Sequence, residues 1–256
     1  MMRTIHNIIR VALIAVAMMI GGKAWGQTTV EIGTGTSTTY YPMPGLYGWQ
    51  YDVYLYTPSA ASFLNSACTI SSIAFKVSSN STTTGAQMTV WVKDVDLTTL
   101  SSSSTFSSFT SEATQVYHNT SLSTSSGWNT LSFGTGSGSS SSFSHQAGKA
   151  LLVAVRGVGC TTSGGCSRSC YYTSASSTHW YKHVDSSDPG TSTTGTSVDA
   201  YRSNIQVTYT GGSGGSGSGG SGSENCEDFS STTATTNATG SSYTTYWRNC
   251  KSREYC

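Results

Sequence analysis

Residues 211–223 read GGSGGSGSGGSGS, a run of glycine and serine alone. Such a run has no apolar surface to bury, so it is expected to act as a flexible tether and not as part of a core. It limits where a fold can form. Any sizeable core must come from residues 27–210, which are long enough for one complete domain. Residues 224–256 leave only a short piece, expected to be an incomplete second module, with cysteines at Cys226, Cys250 and Cys256.

At the other end, Arg3 and Arg10 frame the start of an apolar run from Val11 to Ile20, followed by Ala24-Trp25-Gly26. A short apolar run with small residues behind it is the pattern of a secretory signal peptide, here residues 1–26. The run falls short of the roughly 20 residues that span a bilayer, so no membrane span is expected after cleavage. Removing it takes away Arg3, Arg10 and Lys23 and no acid, leaving 10 basic against 12 acidic residues from the 13 and 12 of the whole chain. Phosphate binding needs clustered positive charge, and these lysines and arginines stand singly, which argues against a nucleic-acid partner. Charged residues make up 10% of the chain, against about 25% in ordinary soluble domains. Hydroxyls and amides must therefore do most of the solvating, as suits an extracellular surface.

Helical periodicity is scarce, whereas alternation is frequent. Ile73, Phe75 and Val77 share one face of Ile70 to Val77, and Met88, Val90 and Val92 alternate with Thr89, Trp91 and Lys93. Further strands are expected at Thr28 to Ile32, Trp49 to Tyr56, Thr114 to His118, Thr130 to Phe133, Ala150 to Arg156, His179 to Val184 and Ile205 to Tyr209. Serine- and glycine-rich connections such as Ser101 to Ser104 and Gly134 to Ser142 favour turns. Parallel sheets would need helical crossovers, and the one helical candidate is Ser59 to Leu64. The reading is all-β: a two-sheet antiparallel β-sandwich, jelly-roll-like, with the linker and a short C-terminal fragment behind it.

Several stretches together, IGTGTSTTYYPMPGLYGW, YLYTPSAASF, ISSIAFKV, MTVWVKDV, SGWNTLSF, ALLVAVRG and YRSNIQVTY, resemble a module of secreted and cell-surface proteins of Bacteroidetes. The resemblance covers roughly residues 29 to 209 and implies an adhesive or accessory role, not a catalytic one. The tail ENCEDFSSTTATTNATGSSYTTYWRNC resembles the opening of a jelly-roll adhesin domain of the cleaved-adhesin or choice-of-anchor type. A whole domain of that kind is several times longer, hence the expectation of an incomplete module.

Seven cysteines in an oxidising compartment make disulfides the first reading. Cys160, Cys166 and Cys170 sit in one glycine-rich loop, so one disulfide among the three is expected, and Cys226 with Cys250 would close a loop in the tail. Cys68 is either a remaining partner or a buried thiol. Cys166 and Cys170 with His179 and His183 suggest a tetrahedral zinc, but histidines four apart on a strand stand about 13 Å apart, too far for one ion. No metal and no other cofactor is expected. Asp185, Asp188 and Asp199 could offer oxygens to calcium, yet no calcium-loop motif is present, and they read as turn residues. Catalysis finds no GxSxG outside the glycine-serine run, and Asp94 with Asp96 is the only close carboxylate pair on a strand face.

The surplus is aromatic, with 15 tyrosines and 6 tryptophans. Tyr51 shares a face with Val53 and Leu55, a face that reads as core, while Tyr54 and Tyr56 point the other way. Rings near loops or strand ends, Tyr40, Tyr41, Tyr47 and Trp180, are the candidates for an exposed ligand surface. The expected partner is an extracellular glycan or protein. The readings in competition are an adhesive or accessory module, a carbohydrate-binding module and a small secreted hydrolase.

Overall fold

The computed structural model describes residues 26–80, 85–159 and 168–211, together with the backbone of 235–236 and 242–243. The chain divides into two compact units, Met1–Gly215 and Ser216–Cys256. Among its described residues the first unit carries twelve strands: β1 (Thr28–Ile32), β2 (Ser37–Thr39), β3 (Trp49–Tyr56), β4 (Cys68–Asn80), β5 (Ala86–Val95) and β6 (Thr114–Leu122), then β7 (Gly127–Ser132), β8 (Phe143–His145), β9 (Ala150–Val158), β10 (Arg168–Val184), β11 (Ser197–Ser203) and β12 (Ile205–Thr210). In the second, β13 (Thr235–Thr236) pairs antiparallel with β14 (Ser242–Tyr243).

The fold is an antiparallel two-layer β-sandwich of jelly-roll-like kind. One layer runs β1, β12, β4, with β7 and β8 on the far side of β4. The other runs β11, β10, β3, β9, β5, β6. Strand β10 is 17 residues long, and its first residues pair with the end of β4 and with β2, so it turns the corner between the layers. Within the twelve-stranded sheet, among the described residues, only β5 with β6 and β10 with β11 pair as neighbours in the chain; its other ladders need a crossing connection.

Alternation decides which side chains meet between the layers. Ile70, Ile73, Phe75 and Val77 of β4 and Ile205 and Val207 of β12 pack with Tyr54, Tyr56, Val90, Val92, Leu151, Val153 and Val155 from the opposite layer. The other parity of β3 and β9 is buried too. Tyr51, Val53, Leu55, Leu152 and Ala154 form a second cluster on the outer face with Trp180 of β10, under a cap made by Leu100, Phe106 and Phe109. Both faces of β3 are therefore core, where alternation had suggested one. A five-residue helix, α1 (Phe106–Thr110), supplies the two phenylalanines. So short a helix gains little from its own hydrogen bonds and depends on tertiary packing. A reciprocal cap fixes its start: Thr105 Oγ1 accepts from Ser108 N at 3.2 Å while Ser108 Oγ accepts from Thr105 N at 3.2 Å.

All nine expected strands are present, several of them longer than alternation alone suggested. The helical candidate at Ser59 to Leu64 is a 3₁₀ turn at Ser62–Asn65. Beyond those nine lie β2, β8, β11 and the first half of β10, all poor in aliphatic residues. The outer edge of β6 is not open: Gly134 N donates to Val116 O at 3.0 Å, His118 N to Thr135 O at 2.8 Å and Ser140 N to Gln115 O at 2.8 Å. The 134–140 loop thus occupies backbone groups that would otherwise invite another strand. No helix among the described residues is long and apolar enough to cross a membrane.

Candidate binding site

Two arrangements of polar side chains stand out, one buried and one open. The buried one joins β3, β10 and β11. Asp52 pairs across the ladder with Tyr181, midway between His179 and His183 on the same face of β10. Both rings reach diagonally to it, a separation that long side chains can bridge. His179 Nε2 donates to Asp52 Oδ1 at 2.9 Å, His183 Nε2 to the same oxygen at 2.8 Å, and His179 Nδ1 to Asp199 Oδ1 at 2.8 Å. Tyr54 stacks on His179 with centroids 4.5 Å apart and an interplanar angle of 1°.

Both nitrogens of His179 face acceptor-only carboxylates, so the ring is held as an imidazolium. Burial works against the charge, but the hydrogen bonds from Asp199 and Asp52 and their charges outweigh it and raise its pKa above 6.5. Burial likewise opposes ionisation of Asp52, yet the charge of His183 and hydrogen bonds from both histidines keep its pKa below 3.8. A second case is His145: burial disfavours its charge, while Asp94 at 2.5 Å and the carbonyl of Leu64 at 3.1 Å raise its pKa above 6.5. An imidazole with both nitrogens committed to acceptors cannot take a proton from a nucleophile. These clusters fasten strands together.

The linkage has a definite sign. The contributions of His179 and His145 are complete below pH 6.5, the unfolded value, and fade as pH rises through their higher folded values. That of Asp52 is complete above 3.8 and fades as pH falls through its lower folded value. Urea midpoints measured from about pH 3 to pH 9 should therefore peak between these limits and decline on the alkaline side above 6.5.

The open arrangement lies on the outer face of the second layer, where the α1 cap stops short of covering the sheet. Its floor is Thr89 and Trp91 of β5 and Arg156 of β9; Gln115 and His118 of β6 with Ser137 form one wall, and Tyr51, Asp188 and Thr191 the other. The cleft has a volume of about 430 Å³, within the range of roughly 300–1,000 Å³ of small-molecule sites. Cross-strand pairing of Thr89 with both His118 and Arg156, and of Arg156 with Tyr51, lays these side chains in a row.

Each is held by a partner. Arg156 donates to Asp188 Oδ2 at 3.0 Å and to Tyr51 OH at 3.3 Å, lies over the Trp49 ring at 5.0 Å, and leaves Tyr51 OH to donate to Asp188 Oδ1 at 2.5 Å. Gln115 Nε2 donates to Ser137 O at 2.9 Å, and His118 Nδ1 shares a proton with Thr89 Oγ1 at 2.9 Å. Trp91 meets Phe106 edge-on, 5.9 Å away at 81°. Among the described residues no hydrogen bond engages Gln115 Oε1 or His118 Nε2, so an acceptor and a second ring nitrogen remain for a ligand. A larger depression of about 720 Å³ lies beside Cys68, His145 and Gly211. Its one ionisable histidine is already closed off by Asp94 and Leu64, so it offers no directed polar set.

The candidates read from sequence fall differently. Tyr40 is exposed, at 45%. Tyr41 and Tyr47 are half-buried and pack on His183, at 4.5 and 4.8 Å, as covers of the buried clamp. Trp180 corrects the expectation of an exposed ring: it is wholly buried in the second cluster, its Nε1 donating to Ser104 O at 3.2 Å. Cys170 is a free thiol inside the main core, where burial pushes its pKa up to about 12, so of the three cysteines expected to share one disulfide it is not a partner. Cys68 is also a free, buried thiol. Cys160, Cys166, Cys226 and Cys250 lie outside the described residues.

His179 and His183 do converge, against the spacing argument, because their rings lean from both sides onto one carboxylate. Among the described residues no group of three His, Cys, Asp or Glu side chains is arranged to hold a metal ion. Asp94 serves His145, Asp96 pairs with Lys149 at 2.7 Å, and Asp188 and Asp199 belong to separate hydrogen-bonded sets.

Apart from Asp188, weighed as a calcium donor, the groove residues were not among the sequence candidates. Their signal was the polar phase of β5, where Thr89, Trp91 and Lys93 alternate with the core-facing Met88, Val90 and Val92. A tryptophan on the polar phase of a strand has to be covered or used. No family model matches the chain, and no curated protein matches it. Among solved structures, two of infectious bursal disease virus, from the Gx and Gt strains, align with 12% and 10% identity. They cover 72% of this chain and 33% and 36% of the viral chains, with TM-scores of 0.18 and 0.21. The chain spans about a third of those proteins, and a likeness of that size carries no argument about function.

Proposed function

We propose that this chain is a secreted, non-catalytic module of adhesive or accessory type that holds an extracellular ligand in the groove over β5, β6 and β9. The observation that carries the reading is the set of polar tips in that groove, each held by a hydrogen bond to a neighbouring group. Groups held in this way lose little freedom on binding, which is what makes a weak surface selective. The resemblance of residues 29 to 209 to secreted and surface modules of Bacteroidetes points the same way. A second weakly binding module on the glycine-serine tether would add avidity. The hydrolase reading has less behind it, because the Thr89–His118 pair has no carboxylate on the imidazole among the described residues to orient it as a base.

The test is retention of the full chain on surfaces coated with extracellular-matrix proteins, mucin or polysaccharides. Gln115→Ala and His118→Ala are expected to weaken retention about tenfold or more while leaving the melting temperature within a degree or two, as changes at half-exposed tips do. Retention that neither variant alters would contradict the reading. So would turnover of a coated material that His118→Ala abolishes.

A further inference from the structure

From the groove we infer the ligand class: an uncharged saccharide, with a sugar ring lying over Trp91 and its hydroxyls bonded to Gln115, His118 and Arg156. This rests on the reading of the groove as the binding face and specifies what enters it.

Charge is the first argument. Among the described residues the groove has one arginine or lysine, Arg156, and one carboxylate, Asp188, and they already satisfy each other at 3.0 Å. An acidic ligand would have to compete with Asp188 for the guanidinium, and a basic one with Arg156 for the carboxylate. A ligand rich in hydroxyls needs neither displacement, because a hydroxyl donates to Gln115 Oε1 and accepts from an N–H of Arg156 at the same time.

Backbone is the second. The groove sits on the face of a sheet whose N–H and C=O groups are spent in the ladders of β5 with β6 and β9. The neighbouring edge of β6 is covered by the 134–140 loop. An extended peptide that binds by adding a strand finds no free edge here, so recognition has to run through side-chain tips and a ring. The third argument is the tip chemistry. An amide, an imidazole, a guanidinium and a hydroxyl surround one half-buried indole, which gives planar donors and acceptors around an apolar face. That combination matches a pyranose, which carries equatorial hydroxyls around a ring with C–H faces.

The experiment uses the full chain on an array of neutral hexose and N-acetylhexosamine oligosaccharides, with sulfated and sialylated oligosaccharides and deglycosylated matrix proteins alongside. The best neutral oligosaccharide is then titrated by calorimetry. Binding of a neutral oligosaccharide, weakened tenfold or more by Gln115→Ala and by His118→Ala and unchanged by Trp128→Ala on the other layer, is the expected result. Trp91→Phe, which keeps a ring against Phe106, should weaken binding less than either. Binding confined to sulfated or sialylated probes, or to none of the glycans, would overturn the saccharide assignment. Binding to deglycosylated protein that the groove variants abolish would overturn it too, and would leave the groove standing as the binding face. Binding that ignores both groove variants would overturn the assignment together with the reading beneath it.

Discussion

Replacing His179 by alanine is expected to lower the unfolding free energy by about 3–5 kcal/mol, the cost of removing one member of a buried ionic set. Asp52 is wholly buried, and its Oδ2 has no hydrogen-bond partner, so its ionised form depends on the two imidazoles that meet Oδ1. Without His179 it keeps only His183, whose side chain is 4% exposed. Asp199 loses the imidazole and keeps Tyr201 N at 3.0 Å, and Tyr54 loses the ring it stacks on. Asp199 is partly exposed, at 21%, so water can serve its carboxylate. Asp199→Asn should therefore cost much less, and the ordering of the two variants in urea denaturation separates a buried clamp from a general loss of packing. The His179 variant should also flatten the decline of stability above pH 6.5, leaving the share due to His145.

Trp180→Ala is expected to destabilise the fold by about 3–5 kcal/mol, as truncation of a large buried aromatic does. The indole fills the space between β10 and the α1 cap, 5.4 Å from Phe109 and 6.2 Å from Phe106. Chain segments are fitted around it: a Cβ on Gly195 would stand 2.3 Å from Trp180 Nε1, so the 185–196 loop can close over the ring only with glycine there. The cap holds one side of Trp91 through Phe106. Losing it should therefore also weaken ligand binding, but only in proportion to the fall in stability. A thermal melt with and without ligand checks both.

The strands were legible because alternation is a local property. Trp49–Tyr56 and Thr28–Ile32 have in the structure the bounds that their residues suggested. The cap was not legible, since nothing within FSSFT shows that its two phenylalanines will land on a distant sheet face. Its start did carry a local signal, Thr105 with Ser108 three residues on. Strand β11 and the first half of β10 escaped notice because SVDAYRS and RSCYYTSASS lack aliphatic alternation; their pairing is dictated by neighbours. Trp180 misled for a related reason. A ring near a strand end reads as exposed until a loop remote in sequence is laid over it. Asp52, His179 and Asp199 were each visible, but their meeting depends on the register of β3, β10 and β11, which periodicity does not carry. The groove failed to show for the same reason, being assembled from β3, β5, β6, β9 and two loops.

The outer face of one sheet has a capped half that stabilises and an open half that we propose binds ligand. Indole N–H resonances of the full chain, followed by NMR as a neutral oligosaccharide is added, test that division most directly. The account predicts that the Trp91 signal moves with saturation while the Trp180 signal stays in place. Saturable binding that shifts the Trp128 signal on the opposite layer, or that leaves Trp91 unmoved, would contradict it.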